Sequence, residues 1–482
     1  MKPEVAWKKY TDADLAEVER IAAGYIDFIS ENKTEREFTA KAIEMAEAAG
    51  YRDMLKMLEE GTPLKPGDKV YAHKHGKSVI MAYIGTEPLV KGMNILGAHV
   101  DSPRLDLKQN PLVERNGLLH LDTHYYGGIK PYQWVTIPLA LHGVVVREDG
   151  TSVAVNVGED PNDPVFCVTD LLIHLAREQM EKKGSKVVEG EDLDVLVGSW
   201  PLSADEEGDA KPDSEKSPIE KIAAKEPVKA MFLKLVAEKY DIQEEDLLSA
   251  EIEVVPAGRA REMGTDRSMI IGYGQDDSSC AYPSLLAQLA LTETPQRTAM
   301  TVLVDKEEIG SVGATGMNSQ FFENVVAVMV ELAGAGGDLS VRRAMAASQM
   351  LSSDVSAALD PAYASVFEPN NAAYLGCGLV FNKYTGSRGK SGSNDASAEF
   401  VARVRRIMNG ADVSFQTAEL GKVDAGGGGT IAYMSAKYGM DVIDSGVAVL
   451  SMHAPWEVAS KADLYEAYKG YLAFLKAKAS TE

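Results

Sequence analysis

Two periods of apolar and polar positions alternate along this chain, and the switches between them mark its elements. Over 14–32 the apolar residues Leu15, Val18, Ile21, Ala22, Tyr25 and Ile29 recur at helical spacing. Thr34-Glu35-Arg36-Glu37 then matches a capping box, so a second helix opens there and runs to about Ala49, where Gly50 stops it. Residues 68–85 alternate with period two and turn at His75-Gly76-Lys77, which predicts a hairpin. The run 93–100 (MNILGAHV) is short and apolar and ends in His99-Val100-Asp101. The run 300–304 ends abruptly in Asp305-Lys306-Glu307-Glu308, as a buried parallel strand does when it delivers carboxylates to the carboxyl edge of a sheet.

From 105 to 158 the pattern becomes short alternating segments broken by Gly, Asp and Pro, an all-β stretch inserted after the 93–100 strand. A helix is predicted over 168–182. Residues 202–229, rich in Asp, Glu, Lys, Ser and Pro, read as an exposed loop. Helical spacing resumes over 226–240, and 251–257 reads as the strand leading out of the insertion. Asp276-Asp277 stands between a glycine-bearing turn and an apolar helix. Residues 325–330 look strand-like, and Asp354 follows a short polar step after Met350. An apolar strand over 447–452 delivers His453, and Ser460 caps a last amphipathic helix over 460–476.

Composition narrows the classes. With 482 residues the chain is long enough for two domains, and 45% hydrophobic with 25% charged residues is ordinary for a soluble globular protein. A formal net charge of -23 argues against binding nucleic acid or docking on an anionic membrane. Three widely spaced cysteines favour neither a disulfide framework nor a cysteine-type zinc site, and they suit a reducing cytoplasm. The first residues carry no apolar signal region, and no stretch approaches the roughly 20 apolar residues of a membrane span.

The candidate chemistry lies in five positions that share one placement: His99, Asp276, Glu308, Asp354 and His453. Most follow an apolar strand or open a helix, and strand carboxyl ends in an open α/β sheet converge on one crevice. Two imidazoles and three carboxylates suit zinc, with manganese or cobalt as alternatives. Five groups exceed the needs of one catalytic ion. They suit two metals about 3.5–4 Å apart that share a carboxylate and a water. If 305–308 stays extended, Glu307 and Glu308 face opposite sides. One then binds metal and the other, Glu307, serves as general base. Asp101 shares a side with His99 and could hold its second nitrogen or bridge toward the metal through water.

These residues carry a family likeness. GAHVDSPRLDLK at 97–108, GQDDSSCA at 274–281, DKEEIGS at 305–311, SSDVSAALDP at 352–361 and SMHAPWE at 451–457 agree in order and spacing with the aspartyl aminopeptidase and vacuolar aminopeptidase I family of dinuclear zinc exopeptidases, which the chain resembles over nearly its whole length. The resemblance implies an α/β fold, a mixed central sheet sandwiched by helices, with an inserted mainly-β dimerisation domain at 108–252 dividing a catalytic domain of 1–107 and 253–482. It implies two zinc ions per subunit. His99 would bind one of them, oriented by Asp101. Asp276 would bridge, Glu308 would bind a zinc and Asp354 the other, His453 would be the last ligand, and Glu307 the base. Asp277 stands where relatives often carry Asn and would support the ligands from behind. Relatives form large tetrahedral homo-oligomers, so a dimer-based assembly, up to a dodecamer, is implied. One position departs: Asp170 replaces a histidine that in eukaryotic relatives reaches a neighbouring subunit's site, and His124 is a candidate substitute.

The expected reaction is removal of the N-terminal residue from peptides by a metal-bridged water. Lys383, Arg388 and Lys390 in one turn, and Gly428 and Thr430 in the glycine-rich stretch 426–430, are the candidates to hold substrate. A lysine or arginine there would pair with an acidic first side chain and give an aspartyl or glutamyl preference. The rival readings are a dinuclear deacylase or amidohydrolase acting on small amides, and a catalytically silent assembly or cargo protein that keeps the fold.

Overall fold

The computed structural model describes residues 3–203, 217–386 and 389–479; 204–216 of the expected exposed loop and the candidate Arg388 lie outside these. The chain forms two compact units. One runs to Ser102 and resumes at Arg259, and the other spans Pro103–Gly258.

In the first unit a nine-stranded sheet carries Arg52–Asp53, Lys69–Lys74, Ser78–Tyr83, Thr298–Val304, Met93–His99, Gln349–Ser353, Asp441–Gly446, Leu379–Asn382 and Phe415–Thr417 in that order. The strands from Thr298–Val304 to Asp441–Gly446 are parallel, and their outer neighbours Ser78–Tyr83 and Leu379–Asn382 run antiparallel to them. The sheet is therefore mixed. Successive side chains leave a strand on opposite faces, which explains why these strands read as unbroken apolar runs. Ile95, Met300, Met350 and Val442 enter one core with the helices Phe321–Leu332 and Asp338–Ala346. Leu96, Ala299, Leu351 and Ile443 enter the opposite core with Gln275–Leu289, Ala398–Gly410 and Lys461–Leu475. Thr11 and Thr34 both close capping boxes at the two N-terminal helices, and Ser460 accepts the Ala462 N–H at the last one.

In the second unit a seven-stranded antiparallel sheet contains Arg104–Arg115, Leu118–Tyr126, Leu139–Val146, Ser152–Val157 and Ala250–Pro256. Its first and last strands reach beyond 108 and 252, which moves the boundaries of the inserted unit outward to 103 and 258.

Three sequence expectations change. Residues 325–330 belong to the Phe321–Leu332 helix: a short apolar run does not distinguish a buried helix face from a buried strand. Over 168–182 only Arg177–Met180 is helical, and Leu171, Leu172, Ile173 and Leu175 are exposed. These side chains are not packed within the chain, and short helices rely on such packing. The stretch 202–229 also holds a helix, Pro218–Ala223, capped by Ser217.

Leu351 is fully buried at the centre of the sheet. Leu351→Ala should cost about 2–5 kcal/mol, whereas Ser460→Ala, which removes one cap, should cost about 1 kcal/mol. Urea denaturation followed by circular dichroism checks this ranking; equal losses would contradict it.

Candidate metal centre

The parallel register brings the carboxyl ends of four strands to one edge. Val304 pairs with His99, Ser352 with Gly97 and Ser353 with Ser445. His99 ends its strand, and Asp101, Glu307, Glu308 and Asp354 leave from the same edge. A side chain at Gly446 would put Cβ 1.8 Å from the Asp354 carbonyl oxygen, so only glycine lets the backbone approach there. Asp276 stands at the start of the Gln275–Leu289 helix. His453 lies between the strands Ala448–Leu450 and Glu457–Ser460 of a separate five-stranded sheet, at a φ of 66°.

Glu307–Ile309 forms a tight 3₁₀ turn between the left-handed residues Lys306 and Gly310, not the extended segment expected from the sequence. Helical backbone, not strand alternation, sets the directions of Glu307 and Glu308. Asp101 fixes this turn: Oδ1 accepts the Glu307 N–H (3.1 Å) and Oδ2 the Glu308 N–H (3.2 Å). The same carboxylate lies 3.3 Å from His99 Nδ1, which is also 3.0 Å from the Asp101 carbonyl oxygen.

Asp276 stands between the two imidazoles. Its Oδ1 is 3.1 Å from His99 Nε2 and its Oδ2 is 3.2 Å from His453 Nε2. Glu308 Oε2 lies 3.5 Å from His453 Nε2, and Asp354 Oδ1 lies 4.0 Å from His99 Nε2. Two donor groups result, with ligand atoms within 4.8 Å of one another in each: His99, Asp276, Asp277 and Asp354, and then Asp276, Glu308 and His453. Asp276 belongs to both.

Burial pushes the carboxyls of Asp354, Glu308 and Asp277 well above the usual carboxylate range. Burial, reinforced by Asp276 and Asp101, raises Glu307 to about 7. Asp276 goes the other way: burial opposes ionisation, but hydrogen bonds from His453 and His99 hold it below the usual range. Burial likewise opposes charge on His99, and the hydrogen bonds to Asp101 and Asp276 outweigh it and raise its pKa. Gathering so many acids without a cation is costly, and no Lys or Arg lines the cavity they share among the described residues. Glu308 Oε1 and Asp277 Oδ1 are buried with no hydrogen-bond partner. A nitrogen and oxygen donor set with orphaned carboxylate oxygens fits zinc.

Two residues were not foreseen in these roles. Asp277, read as support, is itself a member of the first donor group, and its Oδ2 accepts the His99 N–H (3.2 Å). Glu457 is 2% exposed; its Oε1 accepts the His453 N–H (2.7 Å) and its Oε2 the Asp276 N–H (3.1 Å), so one carboxylate holds the backbone of both. Its place four residues after His453 was the available signal.

The cavity of about 440 Å³ is also lined by Gly428, Gly429 and Thr430. Gly426 has a different task, since a Cβ there would strike the Leu420 carbonyl oxygen at 1.9 Å. Lys383 and Lys390 do not line the cavity. Both pair with Asp395, at 2.8 and 2.9 Å, and Lys390 also lies over the Tyr384 ring. A charge run folded on itself was indistinguishable in sequence from one facing a ligand.

A buried imidazole and carboxylate cluster at the carboxyl edge of an α/β sheet defines a metal-dependent enzyme. The comparisons narrow this. Residues 28–475 match the model of the family described as Aminopeptidase I zinc metalloprotease (M18). A probable M18 family aminopeptidase 1 of Clostridium acetobutylicum is 59% identical over 470 residues, covering 98% of this chain and 97% of that protein. The crystal structure of an M18 aminopeptidase from Thermotoga maritima superposes with a TM-score of 0.90 at 41% identity over 99% of both chains. That of aminopeptidase I from C. acetobutylicum does so with a TM-score of 0.86 at 55% identity over 98% of both. The chain belongs to the M18 family of zinc aminopeptidases and is a metallo-aminopeptidase.

Glu457→Ala should lower zinc affinity about 10–100-fold with the far-ultraviolet circular dichroism unchanged, measured by competition with a chelating dye; unchanged affinity would remove Glu457 from the centre. Because the raised carboxyls must ionise to bind metal, zinc binding should release protons and tighten as pH rises. Calorimetry in buffers of different ionisation enthalpy checks the sign.

Proposed function

We propose that this chain removes the N-terminal residue of peptides at the cavity beneath Asp276, with His99, Asp276, Glu308, Asp354 and His453 holding two zinc ions and Glu307 acting as general base. The observation that carries this is the bridging position of Asp276 between two imidazoles, each with a further carboxylate beside it. Bound there, zinc would supply Lewis acidity to activate a water and polarise the scissile carbonyl. The chain's own work is positional and protonic. Glu307, raised to about 7, can take a proton from the attacking water and pass it to the leaving amine. Asp101 keeps Glu307 and Glu308 in register with His99. Gly428 and Thr430 are the candidates on the cavity wall to hold the peptide.

An acidic first side chain would find no counter-charge on the described cavity wall, since Lys383 and Lys390 are both spent on Asp395. A homo-oligomer built from dimers through the 103–258 unit is supported by the exposed apolar side chains Leu171, Leu172, Ile173 and Leu175, an apolar run of the kind that marks an interface. A cytoplasmic setting accords with three free cysteines.

Chelation should abolish hydrolysis of leucyl-anilide, and zinc should restore it. N-acetylleucyl-anilide should resist, which separates this reading from the deacylase. Glu307→Gln should lower kcat about 10²–10⁴-fold while two zinc ions per chain remain bound by elemental analysis; full turnover would exclude Glu307 as the base. Ile173→Asp should reduce the particle mass measured by light scattering, and an unchanged mass would move the interface elsewhere.

A further inference from the structure

Beside the metal centre lies a buried carboxylate that neither donor group uses. Asp305 follows the strand Thr298–Val304 and is fully buried. It belongs to neither donor group and does not line the cavity. Its Oδ1 has no hydrogen-bond partner. A carboxylate in such a place is costly unless its remaining bonds hold something that would otherwise relax.

What those bonds hold is the loop 305–316. Glu307 and Glu308 sit in its first turn, and both line the cavity. Asp305 Oδ2 accepts a hydrogen bond from Thr315 Oγ1 (2.6 Å), and the backbones of Asp305 and Gly316 pair in a parallel bridge. The two ends of the loop are thereby joined. Ser78, at the start of the strand Ser78–Tyr83, stitches both ends to the sheet: its Oγ donates to the Thr315 carbonyl (2.6 Å) and accepts the Asp305 N–H (3.2 Å). Lys306 Nζ lies 3.4 Å from Asp305 Oδ2. Asp305, Thr315 and Ser78 are all buried, so water does not compete for these bonds.

The backbone between the two ends is wound against preference. Lys306 (φ 74°) and Ser311 (φ 58°) are left-handed without being glycine. A Cβ at Gly316 would stand 2.3 Å from the Ser311 carbonyl oxygen, so the loop has no slack there. Such conformations persist only where the surroundings over-determine them. Asp101 holds the Glu307–Glu308 turn itself, and Asp305 with Thr315 holds the ends.

We propose that Asp305 is a positioning residue for Glu307: its bond to Thr315 latches the 305–316 loop, and the latch keeps the base in the geometry that proton transfer needs. This rests on the assignment of Glu307 as the base.

The test uses the full-length chain carrying Asp305→Ala, Thr315→Val, Thr315→Ser, or Asp305→Ala with Thr315→Val. Zinc-loaded Asp305→Ala should turn over leucyl-anilide with kcat lowered about 10²-fold and KM little changed, as a displaced catalytic group does. Thr315→Val should match it, and Thr315→Ser, which keeps the hydroxyl, should retain most of the rate. The double variant should be no slower than either single one, because both remove the same bond. In the metal-free chain, amide hydrogen exchange should speed up over 305–316 in Asp305→Ala and stay unchanged in the strands beside it. Wild-type kcat in Asp305→Ala, equal losses in Thr315→Ser and Thr315→Val, or losses that multiply in the double variant overturn the proposal. Exchange that quickens through the whole sheet assigns Asp305 a purely structural role and overturns it too. If Asp305→Ala does not fold, the two Thr315 variants decide the matter. Failure of the base assignment looks different: Glu307→Gln then keeps full turnover, while exchange over 305–316 still responds to Asp305→Ala.

Discussion

Concentrated negative charge in a dry place is the constraint on which this molecule turns. Asp276, Asp277, Glu307, Glu308 and Asp354 meet at one sheet edge beside two imidazoles. Carboxylates taken from water into mutual repulsion either protonate or demand cations. The upward shifts of Asp277, Glu307, Glu308 and Asp354, beside the downward shift of Asp276, express that demand. A fold tolerates such a cluster when metal binding repays it, and the M18 family is a zinc family.

The supporting structure serves to keep these acids from relaxing apart. Four parallel strands with two-sided cores set the edge. Two further buried carboxylates then act as clamps. Asp101 ties the Glu307–Glu308 turn to His99, and Glu457 ties the backbone of His453 to that of Asp276. Both clamps accept backbone N–H groups and so are satisfied within the chain. The His453 backbone is in a left-handed conformation, and the Glu457 hydrogen bond helps hold it there.

The two units divide the labour. The first holds the charge cluster and the cavity, with Asp444 and Thr430 at the wall. The second is mainly β and carries exposed leucines and an isoleucine on a segment that a period-based reading makes helical. Exposed apolar runs of this kind are a general mark of interaction surfaces.

Much of this was legible in residue order alone. Unbroken apolar runs ending in His99 or in Asp305-Lys306-Glu307-Glu308 mark buried strands with chemistry at their tips, because a strand covered on both faces has no room for polar alternation. The capping boxes at Thr11 and Thr34 and the Ser460 cap act within a few residues, so local sequence determines them. Long-range packing decided the rest. It turned 325–330 into a helix, wound Glu307 and Glu308 into one turn, spent Lys383 and Lys390 on Asp395, and brought Glu457 onto two backbone amides. Periodicity reports which residues want burial and where an element starts. Which acid faces which cation depends on partners hundreds of residues away, and one-dimensional spacing carries no record of that distance.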